Sequence, residues 1–389
     1  MIRNGQVLLP DGLFAKASIT IEDGYIASVG PGSALEEGDS IDAGGMLVMP
    51  GIVDIHGDAF ERQLMPRPGV SFAHDLALVE TDRQLLANGI TTAFHGLTWS
   101  FEPGLRGCEA ALRFMDEFEA VRPVLGCDTH VHLRFENYNL EACDEVEDWL
   151  KTGRIGLLAF NDHMDLMTRK LDSYDKMSGY LHRTGLTREG FIAMLESLRG
   201  RAGQVPAAIE RLAATARRAG IPMASHDDPS PAVRAWYHAL GSRLSEFPLD
   251  LATARAARDS GGAIILGAPN ALRGKSHDKR LMAREAIDAG LCDVLTSDYF
   301  YPALLHGPFA LHREGCLDLG QAWQLVSRNP AKAVGLNDRG AIEPGRRADL
   351  VLVDEVRSGL PRVLMTIVSG KPAFSAGLAV SCRPRLYRV

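Results

Sequence analysis

Cysteine is sparse and unpaired in this chain. Its 389 residues contain six cysteines (Cys108, Cys127, Cys143, Cys292, Cys316 and Cys382), widely scattered and with no CxxC pair. That pattern argues against a disulfide framework or a zinc knuckle and fits reduced thiols in a cytoplasmic protein. Long apolar runs are missing too: no stretch reaches the roughly 18 apolar residues of a membrane-spanning helix. There is no basic excess. Lys and Arg number 42 against 49 Asp and Glu, giving a net charge of −7 and a pI near 6.0. No global field therefore favours nucleic acid or an anionic membrane, and an anionic small molecule would need a local basic cluster. The opening residues Met1-Ile2-Arg3-Asn4-Gly5 read as folded sequence, not as the basic start and apolar core of a secretory leader. Internal repeats and low-complexity tracts are absent.

What is present is an ordinary soluble composition, 46% hydrophobic and 23% charged, with length enough for one α/β barrel and a minor domain. The first 50 residues read as short strands (6–9, 17–21, 25–29) separated by Asp11-Gly12 and Asp23-Gly24 turn signals. The stretches 348–354 and 363–368 repeat this texture. Residues 1–50 and 341–389 are accordingly expected to pair into a small β domain, a β-sandwich, with 51–340 inserted between them. That middle alternates apolar strand-like runs with helical patterns, the signature of a parallel α/β fold. The predicted strands are 46–55, 91–94, 129–135, 155–160, 222–225, 242–247, 263–266 and 292–296. Between two of them, Val205, Ile209, Leu212, Ala213 and Ala216 fall on one helical stripe. Eight such units predict a (β/α)8 barrel, whose active site lies at the C-terminal ends of the strands. The segment between Phe160 and Pro222 is an insertion.

Nearly every predicted strand ends in a metal-ligating or charged residue. The first runs into His56 and Asp58, which share a face at i and i+2 and offer an imidazole and a carboxylate to one spot. The third carries His130, His132, Arg134 and Glu136 at even spacing. The fourth leads to Asp162 and His163, the fifth to His226, Asp227 and Asp228, and the sixth to Glu246. The seventh leads to Asn270, Arg273, Lys275 and His277, and the eighth to Ser297, Asp298 and Tyr299. A ring of His, Asp and Glu suits a mono- or binuclear metal hydrolase. His56, Asp58, Glu136, His163, His226 and Asp298 are the candidate metal ligands, with Asp298 also the proton acceptor from water. His130 and His132 are expected deeper in the barrel.

On these residues the chain resembles the amidohydrolase superfamily. Pro50-Gly51 leads into the His-x-Asp, Ser297-Asp298 closes the eighth strand, and Asn329–Leu336 and Gly345–Leu350 are typical of it. Within the superfamily the chain looks like the branch of phosphonate-catabolism diphosphatases. The resemblance is carried by Met65-Pro66-Arg67-Pro68, His132-Leu133-Arg134-x-Glu136, Ala224–Asp228 and Glu246-Phe247-Pro248. Gly267-Ala268-Pro269-Asn270-x-x-Arg273-Gly274-x-Ser276-His277 and Leu336–Gly340 complete it. It implies a cytoplasmic, homo-oligomeric metal-dependent hydrolase acting on a small phosphorylated molecule. The substrate implied is α-D-ribose 1-methylphosphonate 5-triphosphate, cleaved to the 5-phosphate and pyrophosphate. One or two divalent ions are implied, zinc, manganese or magnesium. Arg62, Arg67, Arg134, Asn270, Arg273, Lys275 and His277 become the expected substrate contacts, since an arginine fork suits phosphate oxygens. The usual His-x-His is His-x-Asp here, no lysine follows the fourth strand, and Glu246 stands where the sixth strand usually has His. A deaminase or amide hydrolase built on the same metal site, and a metal-free assembly protein, remain as alternatives.

Overall fold

The computed structural model describes residues 1–31, 40–67, 69–171, 174–274, 281–356 and 360–377. The first strands are β1 (Ile2–Leu8), β2 (Phe14–Glu22), β3 (Tyr25–Gly30), β4 (Ile41–Asp42) and β5 (Leu47–Pro50). A second series follows: β6 (Ile52–Gly57), β7 (Ile90–Trp99), β8 (Asp128–Glu136), β9 (Leu157–Asn161), β10 (Met223–His226), β11 (Leu244–Glu246), β12 (Ala263–Gly267) and β13 (Val294–Thr296). The chain returns with β14 (Leu350–Val356), β15 (Leu360–Val368) and β16 (Lys371–Ser375).

Strands from both ends of the chain share one sheet, in the order β16-β15-β14-β5-β1-β2-β3 with β4 beside β1. Alternation gives this sheet two apolar faces. Leu350 and Leu352 join Ile2, Val7, Ile19 and Ile367 in the small core, while Val351 and Val353 face the barrel helices. The sheet also returns on itself. Ile26 donates to the Arg346 carbonyl and Gly345 to the Ile26 carbonyl, both at 2.8 Å.

β6 to β13 pair in sequence order, every neighbour parallel. The ring closes where Gly57 pairs with Asp298. A side chain at Gly57 would not fit, since its Cβ would lie 2.7 Å from both Asp54 Oδ2 and Ser297 Oγ. The apolar run 46–55 proves to be two strands in two sheets. The break falls at Gly51, where a Cβ would lie 2.2 Å from Thr91 Oγ1 and the amide donates to Asp349. β7 runs on to Trp99 because all its residues are buried.

The insertion after β9 is helical (Met164–Lys170, Tyr174–Thr184, Arg188–Arg199) and has its own core of Met164, Met167, Met177, Tyr180, Phe191, Leu195 and Leu198. The predicted stripe forms helix Val205–Ala219, ended by Gly220 at φ 70°. The insertion is pinned to the barrel where Arg183 donates to buried Glu102 through Nε at 2.7 Å and Nη2 at 2.9 Å. At the opposite end of the barrel, Asp128 accepts from Arg339 and Arg347, both at 2.6 Å, tying β8 to the segment that leads into β14. Among the described residues no helix is long and apolar enough to cross a membrane.

Candidate metal centre

The even residues of β8 climb the barrel interior as a ladder, about 6.6 Å per step. His130 is lowest, stacked on Phe94 and 3.4 Å from Asp128. His132, fully buried, comes next and meets Glu246. Arg134 follows, reaching Asp58 and His226. Glu136 is uppermost and meets His163. One strand therefore contributes to every level of the site.

Glu246 is the hub of the lower level. Its Oε1 lies 3.1 Å from His56 Nδ1 and 3.5 Å from His132 Nε2, and its Oε2 lies 3.1 Å from His226 Nδ1. Neither nitrogen of His56 or His132, nor Glu246 Oε1, has a partner with hydrogen-bond geometry, although all are buried. Burial, then the nearby Arg134 charge, pulls His56 down to about 3, and burial pulls His132 to about 3 as well. His226 is held far below its usual value mainly by burial. Burial pushes the Glu246 carboxyl up. Neutral imidazoles with open lone pairs around a carboxylate are what a divalent cation needs, since bound His must be deprotonated. Separations of 3.1 and 3.5 Å bracket the roughly 3.3 Å ligand edge of a tetrahedral site with bonds near 2.0–2.2 Å. The donors fit a metal ion.

Two donor groups emerge. His56, His226 and Glu246 each bring a ligand atom within 4.8 Å of the others, and so do His163, His226 and Asp227. They share His226. In the upper group His163 Nδ1 is 2.6 Å from Glu136 Oε1, while its Nε2 is 3.8 Å from Asp227 Oδ2. Burial opposes protonation of this ring, but the Glu136 charge and hydrogen bonding to Asp227 and Glu136 outweigh it and raise His163 to about 9.

Asp298 lies just past β13, at the seam of the barrel. Its amide donates to the His56 carbonyl, and its own carbonyl accepts from the Asp58 amide, both at 2.9 Å. Burial, reinforced by the charges of Asp58 and Asp227, raises its carboxyl to about 7. Beneath it, buried Asp54 accepts from Ser297 Oγ at 2.5 Å, Ser297 N at 3.1 Å and His56 N at 3.3 Å, fixing both strand ends. Asp227, Phe247 and Asp298 follow β10, β11 and β13 with φ of 58°, 53° and 53°. A non-glycine residue in this left-handed region costs about 1–2 kcal/mol. Three such residues just past strand ends, around one cluster of His and carboxylate side chains, show that the barrel fold holds a strained rim in place.

The other expected residues are placed unevenly. Asp58 and His226 come together, but through Arg134, which donates to Asp58 Oδ2 at 2.9 Å and lies 3.2 Å from His226 Nε2. Arg62 is exposed, with its guanidinium 5.8 Å from the Tyr299 ring centre. Arg67 and Arg273 are exposed as well. Asn270 ties down a loop: its Nδ2 donates to the Leu281 carbonyl at 3.1 Å and its Oδ1 accepts from the Ala283 amide at 3.2 Å. Lys275 and His277 lie outside the described residues. The candidate ligands named from sequence left out Asp227 and Glu246, although both were placed at strand ends, and Asp54 was not singled out. The available signal was that Glu246 ends a strand and that Asp227 adjoins His226.

Comparison with known proteins fixes the family. The Amidohydrolase family model matches residues 283–374. The α-D-ribose 1-methylphosphonate 5-triphosphate diphosphatase of Escherichia coli (strain K12) is 31% identical over 363 residues, covering 90% of this chain and 94% of that protein. The chain is a member of the amidohydrolase superfamily, similar to that diphosphatase. A dihydroorotase of Geobacter sp. (strain M21) is 25% identical, covering 92% of this chain and 90% of its own length. Among solved structures, dihydropyrimidinase from Brevibacillus agri NCHU1002 aligns with TM-score 0.65 at 15% identity, covering 98% of this chain and 96% of that one. The 5-methylcytosine deaminase from Klebsiella pneumoniae aligns with TM-score 0.63 at 17% identity, covering 98% and 99%. These structural matches bear on the fold alone, which is the barrel with a smaller β domain that amidohydrolases share.

Proposed function

We propose that this amidohydrolase cleaves α-D-ribose 1-methylphosphonate 5-triphosphate to the 5-phosphate and pyrophosphate. The observation that carries the reading is the 31% identity, spread over 90% of the chain, to an enzyme of that name. The chemistry of the site agrees with an anionic substrate. Arg134 stands inside the barrel mouth, Arg62 and Arg273 are exposed, and the Glu136 charge with hydrogen bonds to Asp227 and Glu136 favours the protonated form of His163.

His56, His226 and Glu246 would hold a divalent ion, with zinc, manganese and magnesium the candidates. A bound ion supplies Lewis acidity and lowers the pKa of water. The chain's own residues do the rest. Asp298 orients a water and accepts its proton on a carboxylate oxygen, a role suited to a group raised to about 7. The water oxygen bonds to phosphorus, the bridging P–O bond breaks, and pyrophosphate departs with the electron pair. Arg134 and the protonated His163 offset charge on the phosphoryl oxygens. Asp54, through Ser297 and the His56 amide, fixes where Asp298 and His56 point.

A second reading, hydrolysis of a cyclic amide, is supported by the 25% identity to a dihydroorotase across 92% of the chain. Parallel assays on the ribose triphosphate, dihydroorotate and a hydantoin separate the two. Turnover of the triphosphate alone is expected. Turnover of a cyclic amide alone would replace the first reading by the second.

A further inference from the structure

His56 is aimed without a hydrogen bond. A metal-binding histidine ordinarily gives its second ring nitrogen to a carboxylate, a carbonyl or water, and that bond fixes the plane of the ring. Both nitrogens of His56 are buried, and among the described residues neither has a partner in hydrogen-bond geometry. Packing therefore sets this ring. Three rings surround it: His132 lies 4.9 Å away at 69°, His226 5.3 Å away at 9°, and Phe247 4.9 Å away at 84° (ring centres and interplanar angles). Phe247 is also 5.2 Å from His226, at 87°. One phenyl ring thus stands perpendicular to two nearly parallel imidazoles and restrains both planes. A hydroxyl or carboxylate in its place would compete for the ring nitrogens, whereas a phenyl ring offers them no hydrogen-bonding group.

The backbone points the same way. Phe247 follows β11 with φ 53°, a conformation that glycine adopts far more readily. The turn is held from both sides: the Asp227 amide donates to the Glu246 carbonyl at 2.8 Å, and the Phe247 amide to the Ile265 carbonyl at 2.9 Å. A large side chain kept at such a position calls for a use of that side chain. Filling the core does not account for it, since the residue is only half-buried. The ring also borders the proton acceptor. A Cβ at Gly267 would lie 3.7 Å from Phe247 Cε1 and 3.5 Å from Asp298 Oδ2. We propose that Phe247 is a positioning residue of this centre: its ring sets the planes of His56 and His226 and hence the directions in which their nitrogens point. This rests on the metal-dependent reading of the site.

The test loads the full chain with cobalt(II), whose visible absorption depends on the arrangement of its ligands, and compares wild type with F247A, F247G and F247Y. F247G gives the turn the residue its φ favours, so it should melt above F247A. Both lack the ring, so both are expected to shift the cobalt absorption and to lower kcat by about ten- to a hundredfold, with KM little changed. Either suffices if the other fails to fold. F247Y, which restores an aromatic ring, is expected to recover the wild-type spectrum and kcat. Wild-type spectra in F247A and F247G would overturn the proposal, and so would a kcat that follows the melting order, with F247G well above F247A. The spectra decide even where no substrate is turned over. A wild-type chain that binds no cobalt would overturn the metal-dependent reading itself, and the proposal with it.

Discussion

The amide of Asp298 donates to the carbonyl of His56 at 2.9 Å, and the Asp298 carbonyl accepts from the Asp58 amide at the same distance. The bonds that close the barrel are thus the bonds that bring His56 and Asp58 beside Asp298. Closing the barrel and assembling the site therefore draw on the same backbone bonds.

Asp298→Asn keeps the backbone bonds and the size of the side chain but removes the proton acceptor. Turnover is expected to fall by a factor of about 10² to 10⁴, the usual contribution of general-base catalysis. The thermal melting point should move little. Near-normal turnover would remove Asp298 from the catalytic role.

The same carboxyl predicts a pH profile. Burial and the neighbouring Asp58 and Asp227 charges raise it to about 7 in the protein alone, and a bound cation would draw it down. A base works only when deprotonated, so the rate should rise with pH through an inflection between about pH 5 and 7. A kcat/KM profile that instead falls as pH rises across this range would contradict the assignment.

His163 separates a metal ligand from a fixed cation. Held between Glu136 and Asp227 and raised to about 9, it carries a proton that a ligand would have to lose. His163→Gln is expected to raise KM about tenfold, equivalent to roughly 1.4 kcal/mol of lost binding, with metal content unchanged. Loss of bound metal from the variant would make His163 a ligand.

Stability should hinge on Asp128. Burial pulls its carboxyl up, but hydrogen bonds and charges from His130, Arg339 and Arg347 outweigh it and hold the pKa well below the ordinary range. A depressed carboxyl contributes stability above its unfolded value, near 4, and loses it as pH falls toward the folded value. Asp128→Asn should therefore destabilise by roughly 1–3 kcal/mol near pH 7, since it removes the carboxylate shared by Arg339 and Arg347 and leaves them Asp338 and Asp349 as partners. The difference from wild type should shrink as pH drops below 4. Equal melting temperatures near neutrality would show that the clamp contributes nothing.

Much of this architecture is legible in the sequence because β/α alternation is a local signal. All eight barrel strands lie where apolar runs meet turn residues, and helix Val205–Ala219 follows its stripe. The division of residues 46–55 between two sheets was not legible, because Gly51 is demanded by Thr91, forty positions away. The even spacing on β8 revealed that His132, Arg134 and Glu136 share a face. It could not reveal that Arg134 reaches across to His226, since that depends on the relative heights of β6, β8 and β10. Asn270 shows the opposite limit: a polar residue at a strand end looks like a substrate contact, yet its amide holds the backbone at 281 and 283.

Product analysis by phosphorus NMR decides most directly whether the enzyme cleaves the ribose triphosphate. The enzyme, loaded with a divalent metal, would be mixed with α-D-ribose 1-methylphosphonate 5-triphosphate, with and without a chelator. Stoichiometric pyrophosphate and the 5-phosphate, abolished by chelation and restored by metal, is the predicted result. Unchanged triphosphate in the presence of bound metal would contradict it.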